Sequence, residues 1–121
     1  MPMHEVDRTR RVAELVKREL ATIISRELND NRINSVTITS VTVTKDLKQS
    51  VIYVCSSDKK TPSKEIEKLL NNASRFLRRS LCQQVSLRIM PTLLFKYDET
   101  IQRGIEMTAL IESLNRNRDS E

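Results

Sequence analysis

Apolar residues recur at steps of three and four across residues 7–28, where Val12, Leu15, Val16, Leu20, Ile23, Ile24 and Leu28 fall on one stripe. That period predicts an amphipathic helix. Asp7 is its expected N-cap, and Asn29-Asp30-Asn31 its stop. Residues 35–44, SVTITSVTVT, change to a β-branched, alternating pattern that favours a strand. Val36 and Ile38 share one parity while Val41 and Val43 share the other, which predicts a bulge near Thr39–Ser40. A polar connection over residues 45–49 leads to a second strand at 50–56, with Val51, Tyr53 and Cys55 on one side. After a loop at 57–60, Thr61 is the expected N-cap and Pro62 the first residue of a helix over 62–83. Val85, Leu87 and Ile89 then alternate as a third strand that Pro91 ends or bends, and Leu93 and Phe95 carry the alternation on to Tyr97. Asp98 is expected to cap a last helix with Ile101, Ile105, Thr108, Ile111 and Leu114 on one face.

This order of elements predicts an α+β domain with its helices on one face of a small sheet. A chain of 121 residues suits one domain, placed at 1–115, followed by a polar tail at 116–121 expected to be disordered. No apolar run approaches the ~20 residues of a membrane span, and the N-terminus lacks the apolar core of a secretory signal. The two cysteines, Cys55 and Cys82, sit in apolar stretches and read as reduced core residues. A cytoplasmic protein, monomeric when free, is expected. One histidine, His4, and one glycine, Gly104, leave no means of assembling a zinc site, a His-based dyad or a glycine-rich phosphate loop. Neither an enzyme, a cofactor nor a metal is expected.

Charge singles out the helix at 62–83. On a wheel at ~100° per residue, Ile66, Leu69, Leu70, Ala73, Phe76, Leu77 and Leu81 cluster on one side. Lys64, Lys68, Arg75, Arg78 and Arg79 cluster on the other. From Lys68 to Tyr97 there are six basic residues and no Asp or Glu, so the net charge of +5 is locally concentrated. A charged outer face often serves only to keep a helix solvated. Solvated faces usually mix signs, because Glu–Lys pairs stabilise the helix. This one begins mixed, with Glu65 and Glu67, and then becomes purely cationic. An array that repels itself is most simply explained by an anionic partner, and a nucleic acid is long enough to meet it.

The chain also resembles a family, bacterial ribosome-binding factor A, over about residues 6 to 112. The motifs are Arg8-x-x-Arg11-Val12, Asp30-x-Arg32-Ile33, Val36-x-Ile38-Thr39-x-Val41-x-Val43-Thr44-x-Asp46-Leu47, Leu70-x-x-Ala73-x-x-Phe76-Leu77-Arg78 and Arg88-x-x-Pro91-x-Leu93-x-Phe95-x-x-Asp98. The resemblance implies a type II KH-like fold of order αββααβ with an interrupted central helix, and a helix beyond it at the C-terminus. It implies an assembly factor that binds the free small ribosomal subunit and promotes maturation of 16S rRNA, including its 5′ end. A role in growth at low temperature goes with that activity.

Two departures matter. Asn31 stands where the family has proline, and Arg75 stands where its Ala-x-Gly interruption has glycine, giving Ala73-Ser74-Arg75. The wheel therefore runs on through residue 75, with a bend through Ser74 as the other possibility. Arg75 is expected to add a phosphate contact, which Arg75→Gly would remove. Aromatic residues make up only 3% of the chain, and Phe76 falls on the apolar side of the wheel. Recognition is therefore expected to read folded rRNA through shape and phosphates. Lys64, Lys68, Arg75, Arg78 and Arg79 are the first candidates, then Arg88, then Arg8, Arg10, Arg11, Lys45 and Lys48. The other readings are a KH-like RNA- or DNA-binding module with a different target, and a protein-interaction domain.

Overall fold

The computed structural model describes residues 2–100 and Ile111. The expected last helix beyond Thr100, with Ile101, Ile105, Thr108 and Leu114, and the tail at 116–121 lie outside the described residues. Helix α1 spans Pro2–Glu27, a 3-10 turn follows at Asn31–Ile33, and strands β1 and β2 occupy Val36–Val43 and Gln49–Ser56. Helices α2 and α3 run over Ser63–Asn72 and Ser74–Gln84, and strand β3 covers Thr92–Tyr97. This is the αββααβ order of a type II KH-like domain.

The sheet order is β1-β2-β3, with β2 antiparallel to β1 and parallel to β3. Among the described residues, α1, α2 and α3 pack on one face. Val16, Leu20 and Ile23 of α1, Ile66 and Leu70 of α2, and Leu77 and Leu81 of α3 close over Ile52, Val54 and Phe95. Full burial of each such side chain stabilises the fold by roughly 1.5–3 kcal/mol. The strand register slips between Ile38 and Ser40, placing a bulge at Thr39 as the change of parity predicts. The bulge lets Ile38 and Val41 both pair with residues of the helix-facing row, Val54 and Ile52. Val51, Tyr53 and Cys55 occupy the face of β2 opposite α1, α2 and α3 and are half-buried.

Several boundaries differ from the sequence-based expectation. Helix α1 begins at Pro2, so Asp7 lies within it and is not its N-cap. Arg8, Arg10 and Arg11 thus sit beyond the first turn, where the opposition of the helix dipole to cations has faded. Helix α2 begins at Ser63 with Pro62 in the cap position and no side-chain cap, so Thr61 does not cap it. Cys55 and Cys82 are free thiols, but Cys82 is exposed rather than part of the core. Residues 85–91 form no strand. Parallel pairing begins at Gln49 with Thr92, immediately after the β1–β2 turn, so residues before Thr92 have no partner strand. Pro91 has no N–H to offer a ladder.

Asp98 does cap a helical turn, accepting the Thr100 amide at 3.1 Å, and it also takes the Thr39 hydroxyl at 2.7 Å. The β1–β2 turn is tied by Asp46, whose carboxylate accepts the Thr44 hydroxyl at 2.6 Å and the Lys48 amide at 3.0 Å. Leu47 completes that turn at φ 62° with its side chain 7% exposed, a left-handed residue held by burial.

Candidate nucleic-acid interface

The break between α2 and α3 falls at Ala73, with φ −90° and ψ 0°. Its amide is shared between the Leu69 and Leu70 carbonyls at 3.2 and 3.1 Å, and its own carbonyl starts α3 by accepting the Leu77 amide at 2.9 Å. The helix is therefore interrupted, as the resemblance implies, although Arg75 stands in place of glycine. These angles are right-handed, and Leu47 is the positive-φ residue among those described. A turn that never enters the left-handed region has no need of glycine, so Arg75 fits there without strain. The bonds of this turn come from the Ala73 backbone and not from the Ser74 side chain. No side chain caps α3.

Across the break, α2 and α3 present one outer face. Lys64, Lys68, Arg75 and Arg79 are exposed along it. The two glutamates that mixed its charge in the sequence have partners of their own. Glu65 pairs with Arg32 at 2.8 Å, and Arg32 in turn grips Asp30 at 2.8 Å. Glu67 accepts the Tyr97 amide at 2.9 Å. The Arg32 guanidinium and amide hold the Asp30 carboxyl below its ordinary range, and both carboxylates push the Arg32 pKa up. This arrangement also gives a physical meaning to the Asp-x-Arg-Ile motif. Asp30 caps the 3-10 turn, Arg32 ties that turn to α2, and Ile33 is buried beneath.

Arg78 is placed differently from its neighbours. Its guanidinium donates to the Met90 carbonyl at 2.8 Å and to the Pro91 carbonyl at 3.2 Å. It fastens the segment that leads into β3, where carbonyls without a ladder need donors. Arg88 is exposed on that same segment, in a bend and not on a strand as expected. Lys45 and Lys48 are exposed on the β1–β2 turn, and Arg8 and Arg11 on α1, apart from the α2–α3 face in the chain. Arg10 is paired with Glu14 at 3.5 Å. Phe76, which the wheel places on its apolar side, is 43% exposed.

Two structural residues escaped the sequence reading. In the parallel ladder Thr92 and Asp98 donate toward β2, to the carbonyls of Lys48 and Val54. The amides of Leu93, Phe95 and Tyr97 therefore point off the outer edge of β3. Asn71 meets that edge twice, accepting the Phe95 amide at 2.8 Å and donating to the Phe95 carbonyl at 3.0 Å. Glu67 takes the Tyr97 amide next along it. Their one sequence signal is the four-residue spacing that aligns both on a single side of α2. At the other edge of the sheet, a groove of about 580 Å³ runs between α1 and β1 over Ile24, Leu28, Ile33 and Val36. Its Lys17 ammonium donates to the Thr39 carbonyl at 3.3 Å. Among the described residues no cluster could hold a metal ion, and no helix is long and apolar enough to cross a membrane.

A KH-like α+β domain with a row of exposed cations on its paired helices is the class of protein that the fold defines. A family model of ribosome-binding factor A matches residues 8–111. The chain belongs to the ribosome-binding factor A family. It is 42% identical over 118 residues to ribosome-binding factor A of Nitrosococcus oceani, covering 97% of this chain and 93% of that one. It is 40% identical over 110 residues to the Pseudomonas putida protein of that name, covering 89% and 83%. Among solved structures it is similar to the crystal structure of ribosome-binding factor A from Thermus thermophilus, with TM-score 0.63, 28% identity, and 72% and 92% of the two chains covered. It is also similar to a Thermus thermophilus homology model fitted into a cryo-EM map of a 30S–RbfA complex, with TM-score 0.60, 28% identity, and coverage of 70% and 89%.

Proposed function

We propose that this protein is a ribosome assembly factor that binds the free small (30S) subunit through 16S rRNA and promotes its late maturation, including that of the 5′ end. It acts without catalysis, as a cytoplasmic monomer, and supports growth at low temperature. The observation that carries the reading is the outer face of α2 and α3. Its four exposed cations, Lys64, Lys68, Arg75 and Arg79, stand together while Glu65 and Glu67 are engaged elsewhere. The relative fitted into a 30S complex supports the choice of target. Lys and Arg side chains of this kind are the usual donors to phosphates.

Co-sedimentation with free small subunits, mature small subunits and whole ribosomes tests the proposal. Preference for the free, immature particle is the expected result. If about five phosphates are met, log K falls with log salt at a slope of roughly −3 to −5. The triple variant Lys68→Gln/Arg75→Gln/Arg79→Gln should flatten that slope by about 2 to 3. Equal binding to unrelated RNA would instead indicate a KH-like module with another target. A complex indifferent to salt would point to a protein-interaction domain.

A further inference from the structure

We infer that Phe76 is a stacking platform for one unpaired base of the bound RNA. The inference rests on the function proposed above and deepens it, because a cationic face by itself reads only shape and phosphates. The rings of the domain divide sharply. Phe95 is 1% exposed, and the Tyr97 hydroxyl accepts the Ser56 amide at 3.1 Å. Tyr53 is half-buried on the face of the sheet opposite α1, α2 and α3. Phe76 alone of these four aromatic residues is exposed, and it is exposed on the helix that carries Arg75 and Arg79.

Helix geometry explains why it faces outward. Helix α3 buries a narrow stripe of Leu77, Ser80 and Leu81. At ~100° per residue Phe76 stands about 100° round from Leu77, on the side away from Arg78. Arg79, three residues on, is about 60° further round, and the exposed Gln83 lies between those two directions. On the wheel of α3 the ring therefore has a cation on one flank and a polar amide side chain beside it. The acid at this margin is occupied as well. Glu27 accepts the Ser80 hydroxyl through one oxygen at 3.1 Å and the Arg26 guanidinium through the other at 3.2 Å.

An apolar ring in water beside unpaired cations matches the two faces of a nucleotide, a flat base and a charged phosphate. Base–aromatic stacking tolerates any base, since each has a π-face. A nucleotide paired within a helix has its faces covered by neighbours, so the occupant is an unpaired one. An apolar protein pocket would suit the ring but leave Arg75 and Arg79 without partners.

The test uses the full chain and purified free small subunits. Phe76→Leu keeps apolar bulk at a position already partly open to water, so thermal stability should hold. It is expected to weaken binding by about fivefold to a hundredfold, the range set by loss of one stacked base, with the salt slope unchanged. Phe76→Trp should bind like the wild type, and its indole emission should be quenched on adding subunits, as stacking on a base requires. If the wild-type chain fails to bind free subunits, both this inference and the proposed function fall. If the wild type binds but Phe76→Leu is within twofold of it, the stacking role alone is overturned. A blue shift of the Phe76→Trp emission without quenching overturns it too, assigning the ring to a protein surface.

Discussion

Asn71→Leu should destabilise this protein far more than a half-buried helix position ordinarily allows. The Asn71 amide fits the exposed edge of β3 with both of its polar atoms, at 2.8 Å to the Phe95 amide and 3.0 Å to its carbonyl. Leucine has similar volume but offers neither group. Each deserted backbone group would cost about 1–3 kcal/mol, and the added apolar surface offsets part of this. The net loss should be about 2–4 kcal/mol. Total stability at this length is on the order of 6–18 kcal/mol, so the effect is large. The melting temperature should fall by roughly 6–20 °C. Urea denaturation at constant slope measures it directly. Glu67→Gln is the matched control, because its amide oxygen can still accept the Tyr97 amide, and it should stay within about 0.5 kcal/mol of wild type. A loss below about 0.5 kcal/mol for Asn71→Leu would refute the view that side chains of α2 complete the sheet edge. An uncovered edge also invites pairing between molecules, so light scattering of Asn71→Leu should rise on warming.

Arg78→Met should cost about 1–3 kcal/mol in urea unfolding by releasing the Met90 and Pro91 carbonyls, whereas Arg79→Met should leave stability nearly unchanged and weaken subunit binding. Leu47→Gly sets two effects against each other: relief of the left-handed strain returns about 1–2 kcal/mol, but loss of the buried side chain costs about 2–3, so a small net destabilisation should appear in thermal melts. Asp98 is held below the ordinary carboxylate range chiefly by the Thr39 hydroxyl, with the Thr100 amide adding to it. A depressed folded pKa contributes stability above the unfolded value near 3.8 and loses it as pH falls through the lower folded value. Thr39→Val should raise the Asp98 midpoint in an NMR titration and shrink that acid-side loss; an unmoved midpoint would discard the bulge-to-Asp98 latch.

Much of this protein is written in local periodicity. The stripe from Val12 to Leu28 placed α1, the change of parity at Thr39 placed the bulge, and the wheel over residues 62–83 separated the buried Ile66, Leu70, Leu77 and Leu81 from Lys64, Lys68, Arg75 and Arg79. Those features depend on neighbours within a turn or a pleat, so a single segment carries them. Tertiary structure decided the rest, because it depends on which distant group lies opposite. The third strand became residues 92–97 and not 85–89 because β2 offers a parallel ladder only from Gln49 onward. Arg78 and Arg79, alike and adjacent in sequence, parted because one faces the unladdered carbonyls of Met90 and Pro91 and the other faces water. Glu65 and Glu67 left the basic face only because Arg32 and the edge of β3 stand beside them. Phe76 reached the surface because the packed stripe of α3 is narrower than a wheel can indicate. Spacing tells which residues share a side; the width of the contact, and the partners on it, exist only after the chain has closed on itself.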